Sequence, residues 1–225
     1  MATKHKIANR HNDFLIKVNE HLEHAIEVAE KDFAEVRELI KDAERSVHDT
    51  KCSEIGSIMK NLQYMDVFNQ RMSHLITVHE GMMITTLAHN FEESFFHLHV
   101  FQAMTIELDL LRSISSLNIL LKEFRKTSNA TQDHDQTCFR HTGVIKETLK
   151  LTAHLLAAAG GDTNDLPIPT LTPIQVHLLN SLYTMESERM VLNWFLNSMP
   201  HGTWENLHRE YERVIHQAVE SIELF

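Results

Sequence analysis

With only 6 Gly and 4 Pro in 225 residues, and with Leu, Glu, Met, Ala and His abundant, the chain has few places to turn, so an all-α fold of long helices is expected. A formal net charge of −10 offers no basic face to nucleic acid or an anionic membrane, and no apolar run reaches the roughly 18 residues of a membrane span. The opening Met-Ala-Thr-Lys-His-Lys has no apolar segment behind it, and Cys52 and Cys138 are far apart without Cys-x-x-Cys spacing, so reduced thiols in a cytoplasm are the expected setting.

The first predicted helix runs from Phe14 to Val47, where Val18, Leu22, Ala25, Ala29, Phe33, Val36 and Ile40 recur at steps of three and four. A second is expected from about Ser53 to His89, with the stripe Ile55, Ile58, Leu62, Met65, Asn69, Met72, Ile76, His79 and Met83. A third follows from about Phe91 to Lys126, with Asn90 as the joint. Thr127–Asp135 is polar and reads as a loop, followed by a shorter helix over about Gln136–Ala158 that stops at Gly160-Gly161. The stretch holding Pro167 and Pro169 is extended. Thr172-Pro173-Ile174-Gln175 then supplies an N-cap, a first-turn proline and a capping-box glutamine for a fifth helix reaching about Ser198. Thr203 caps a last amphipathic helix carrying Trp204, Leu207 and Tyr211. The expectation is one all-helical domain over residues 1–225, a long antiparallel hairpin or bundle of five or six helices, with a long-helix core over about 12–126 and smaller helices over about 136–225.

Within the second helix, Asp66 and Gln70 are one turn apart and point the same way. If the apolar stripe centres near Ile58, Met65, Asn69 and Ile76, Asp66 lies roughly 80° and Gln70 roughly 120° from that centre. Gln63 and His74 lie farther round on the same side. That is the shoulder of a bundle: open to a protein partner, yet carried on a rigid helix.

The segment Leu62-Gln63-Tyr64-Met65-Asp66-Val67-Phe68-Asn69-Gln70-Arg71, with its Gln-x-x-Asp-x-x-x-Gln-Arg spacing, resembles the active-site helix of CheZ-type phosphatases of bacterial chemotaxis. Those are all-α proteins that usually dimerise into a four-helix bundle and remove the phosphoryl group from the aspartate of a phosphorylated CheY-like receiver. The resemblance implies Gln70 as the catalytic carboxamide and Asp66 as the acid that docks the receiver's lysine. Gln63, Asn69, Arg71 and His74 are then the expected partner-contacting residues. It also implies a possible homodimer and no cofactor of the chain's own, Mg2+ being expected on the receiver. Met65 stands where those phosphatases usually place a glutamine. The tail Val219–Phe225 is similar to their receiver-binding tail, without the long polar linker that precedes it there.

A non-enzymatic helical scaffold in bacterial signalling is the alternative, since the chain shows no nucleophile, P-loop or metal motif. The 17 His invite a di-iron bundle, but Glu20–Glu23–His24 and Glu93–His97 do not supply Glu-x-x-His twice, and no metal ligands are assigned. His79, on the apolar stripe, is expected to be a hydrogen-bonded core residue. Glu107 and Asp109 interrupt an apolar run, and Glu107 is expected to pair with a His or Arg of a neighbouring helix because a lone buried charge is costly. The Leu182–Arg189 segment reads as helix surface with a Glu186–Arg189 pair.

Overall fold

Apolar residues at helical spacing dictate the architecture, and in the computed structural model, which describes residues 2–46, 52–84, 92–128, 141–159, 167–168 and 170–223, the regular elements are helices. They are α1 (Ala2–Ser46), α2 (Cys52–Leu62), α3 (Tyr64–Ile84), α4 (Glu92–Ser128), α5 (Thr142–Ala159), α6 (Pro173–Leu182), α7 (Glu186–Ser198) and α8 (Trp204–Glu223), with a 3-10 turn over Met199–His201. An isolated antiparallel bridge joins Pro167 to Thr203, which agrees with an extended chain there.

α1 packs on α3 and α5, and α4 packs on the same two helices, so α1 and α4 are diagonal in a four-helix bundle. Cross-helix partners show the directions: Asn69 of α3 meets Glu30 of α1 while His79 meets Asn19, and Arg71 meets Asp109 of α4 while His79 meets His99. In both pairs one residue number rises as the other falls, so α3 is antiparallel to α1 and to α4. α7 and α8 pack against α4. One contiguous core joins Leu15, Leu22 and Phe33 of α1 to Phe68 and Met72 of α3, Phe95 and Phe101 of α4, Leu149 of α5 and Phe195 of α7.

Several local expectations hold. Thr172 caps α6: its Oγ1 accepts from the Gln175 N–H at 3.4 Å, while Gln175 Oε1 accepts from the Thr172 N–H at 2.7 Å. Thr203 caps α8, its Oγ1 accepting from the Asn206 N–H at 3.4 Å. Gly202 just before it is buried, with Leu207 Cγ 2.7 Å from where a Cβ would stand, so close approach rather than backbone conformation requires glycine.

Other boundaries differ. α1 begins at Ala2 rather than Phe14, because a helix once nucleated extends through residues of adequate propensity without an apolar pattern. The second predicted helix is two, broken at Gln63. There Asp66 donates its backbone N–H to the Gln63 carbonyl at 3.1 Å, a tighter i→i+3 turn. The fifth predicted helix is also two, broken between Leu182 and Glu186: burying the Tyr183 ring turns the backbone out of helix, and Arg189 Nε donates to the freed Tyr183 carbonyl at 2.8 Å. The Glu186–Arg189 surface pair expected there is replaced by that contact. The predicted joint at Asn90, most of the 127–135 loop and the Gly160-Gly161 stop lie outside the described residues. So do Cys138 and the end of the tail, Leu224-Phe225.

Candidate functional site

Asp66 stands in the first turn of α3, directly after the break at Gln63, and Gln70 follows one turn later. The buried residues of α3 are Met65, Phe68, Met72, Leu75 and Val78, together with Arg71 and His79. The core face is therefore centred on the Phe68–Met72 side, not on Asn69 and Ile76, which are half-buried. This corrects the shoulder placement: Gln63, Asp66 and Gln70 lie on the outer face of the bundle and are exposed. Their side chains make no hydrogen bond or ion pair with other described residues.

The remaining expected partner-contacting residues are placed differently. Asn69 is half-buried and donates from Nδ2 to Glu30 Oε1 of α1 at 3.1 Å. Arg71 is fully buried, with Nη1 2.7 Å from Asp109 Oδ2 of α4. It is an internal cation, not part of the outer face, because its position on α3 points between α3 and α4. Its Nε and Nη2 find no hydrogen-bond partner among the described residues. Arg112, one turn along α4, stands 3.6 Å from the other oxygen of Asp109. Tyr64 lies close to this pair; burial first, and then the Asp109 charge, pushes its phenol well above the usual range.

His74 sits one turn beyond Gln70. Its Nδ1 is 2.8 Å and 3.0 Å from the two carboxylate oxygens of Glu188, on α7. Glu188 is only 3 % exposed and also accepts the Met185 N–H at 3.1 Å, capping α7 from within. Its backbone carbonyl accepts from Gln102 of α4 at 2.9 Å. The Leu182–Arg189 segment, which pattern alone reads as helix surface, thus reaches α3 at His74, one turn from Gln70.

His79 meets the core expectation. Its Nδ1 is 2.6 Å from Asn19 Oδ1, its Nε2 is 2.8 Å from His99 Nδ1, and His99 Nε2 is 2.8 Å from the Tyr183 hydroxyl. One proton arrangement satisfies every link with both rings neutral: Tyr183 donates to His99, His99 to His79, and His79 to Asn19. Burial pushes His79 down to about 3, and burial together with the neighbouring His79 pushes His99 well below the usual imidazole value. Unfolding exposes both rings to water, where each takes up a proton below about 6.5. Stability from this pair is therefore full above that value and is lost as pH falls, toward about 3 for His79, by on the order of 1.4 kcal/mol per pH unit per imidazole. Urea midpoints measured at about pH 7 and pH 5 should drop accordingly; equal midpoints would contradict a neutral chain.

Two further features are separate from α3. Asp32 of α1, buried, accepts from the backbone N–H of His141 at 3.0 Å and lies 2.6 Å from its Nδ1, tying down the start of α5. A cavity of about 580 Å3 between α4, α5 and α8 is lined by residues including Met104, Glu107, Lys150, His154, Trp204 and His208. Glu107 is half-buried there; desolvation raises its carboxyl, partly offset by Lys150 and Lys146 of α5. The expected pairing of Glu107 with His or Arg is corrected: the arginine partner belongs to Asp109, two residues on, which the 100° step of the helix turns toward α3.

Among the described residues no three His, Cys, Asp or Glu converge as a metal site, and no helix is long and apolar enough to cross a membrane. No family model, curated protein or solved structure matches this chain.

Proposed function

We propose that the chain is a CheZ-like phosphatase that hydrolyses the aspartyl phosphate of a CheY-like receiver in bacterial two-component signalling. The observation that carries this reading is the outer face of α3, where Asp66 and Gln70 stand one turn apart, exposed and uncommitted to any described neighbour. A polar pair needed for folding would be engaged with the bundle, as Arg71 and His79 are. An acyl phosphate is cleaved by in-line attack of water, so catalysis is largely positioning and neutralisation of charge. A carboxamide both accepts and donates hydrogen bonds, so Gln70 can accept from the attacking water through Oε1 and donate to a phosphoryl oxygen through Nε2 without adding negative charge. Asp66 pairs with a lysine of the receiver and sets the reach of Gln70. The receiver brings its own Mg2+.

The test charges candidate receivers from a small-molecule phosphodonor in Mg2+ and follows phosphate loss with and without this protein. Accelerated loss is the expected result. Binding to a receiver with no change in phosphate lifetime would instead identify an adaptor using the same face, and the phosphatase reading would be withdrawn.

A further inference from the structure

Resting on that reading, we infer that His74, oriented by the buried carboxylate of Glu188, is the proton acceptor for the water that Gln70 holds. Three side chains form a column along one side of α3, the exposed Asp66 and Gln70 and the half-buried His74, each one turn from the next, so neighbouring Cβ atoms are about 6 Å apart. Helical side chains lean toward the N-terminus, which tilts the imidazole toward the turn bearing Gln70. The imidazole bonds through Nδ1 alone, at 2.8 Å and 3.0 Å from the Glu188 oxygens, and its Nε2 has no partner among the described residues.

A carboxylate accepts but cannot donate, so the neutral ring carries its proton on Nδ1 and presents the Nε2 lone pair outward. Glu188 is itself held by the Met185 N–H and at its carbonyl by Gln102, so the ring is aimed by a rigid support. The charged groups in the neighbouring turns are Glu188 from α7, the Arg71–Asp109 pair across α3 and α4, and Asp66 on its own helix; Arg189 of α7 is turned to the Tyr183 carbonyl.

In the step itself, the water oxygen bonds to phosphorus as the bond from phosphorus to the receiver's carboxylate oxygen breaks. The electron pair leaves with that carboxylate, the water proton passes to His74 Nε2, and the imidazolium returns it to solvent.

The test measures phosphate loss from a CheY-like receiver charged with acetyl phosphate, between about pH 5.5 and 8.5, as the acceleration over receiver alone for wild type, His74→Gln and Glu188→Gln. Wild-type acceleration should fall at least about tenfold from the alkaline to the acid end, because an imidazole that already carries both protons cannot accept another. His74→Gln should be slower by about 100-fold at the alkaline end and flat across the range. Glu188→Gln should keep an acid limb but displace it, because the ring then contacts a neutral carboxamide in place of the carboxylate at 2.8 Å and 3.0 Å. A merely structural contact between α3 and α7 would lower thermal stability in both variants without moving either pH profile. Wild-type rate and profile in His74→Gln overturn this inference and leave the phosphatase reading intact; should His74→Gln not fold, an unmoved profile in Glu188→Gln does the same. A wild-type protein inactive on every receiver overturns both.

Discussion

Gln70→Ala is expected to return the phosphate lifetime of a charged receiver to its spontaneous value while leaving complex formation nearly intact. Removing one preorganised group that acts on the transition state costs about 100-fold or more, near 3 kcal/mol. The side chain is exposed and has no described partner, so folding stability should change by no more than about 0.5 kcal/mol. A loss of turnover therefore cannot be attributed to unfolding. Asp66→Ala separates the other role: receiver binding weakens, and turnover falls with it at subsaturating concentration. Single-turnover decay at saturating and limiting protein distinguishes the two variants. A Gln70→Ala protein that dephosphorylates as fast as wild type ends the assignment of this side chain.

The second large effect is on stability. Asp109→Ala is expected to destabilise the fold by about 3 kcal/mol or more, because it strands the guanidinium of Arg71, 0 % exposed, between α3 and α4. Arg71→Met should cost far less. It removes the cation together with two guanidinium nitrogens that lack partners, and fills the same space with apolar atoms. Chemical denaturation of the two variants and of Arg71→Met/Asp109→Ala measures the asymmetry; the double variant should be more stable than Asp109→Ala alone. The same Arg71→Met protein checks the corrected position of this residue. An internal arginine should leave receiver binding unchanged, whereas an outer-face contact would lower it.

Residues one turn apart show where pattern suffices and where it does not. Thr172, Pro173 and Gln175 marked the start of α6 unaided, since capping is settled within four residues of chain. His79 was legible as a core residue because it falls on the apolar stripe, but its partners Asn19, His99 and Tyr183 come from other parts of the chain. Arg71 looked like the continuation of an exposed motif because periodicity alone placed the centre of the stripe at Asn69. The break at Gln63 and the antiparallel approach of α4 put the core elsewhere on α3. Glu107 within an apolar run led to an expected partner for Glu107 itself, whereas the phase of α4 against α3 gives the arginine to the half-buried Asp109.

What the amino-acid order determines by itself is therefore the helical class, the caps of α6 and α8, and the one-turn spacing of Asp66 and Gln70, all of which depend on residues within a few turns of one another. Which polar residues are internal and which face solvent was decided by packing. The His74–Glu188 contact spans 114 residues, and no local periodicity encodes the rotation of one helix against another. That rotation is set by how the side chains of several helices fill a common core, a property of the assembled bundle and not of any one segment.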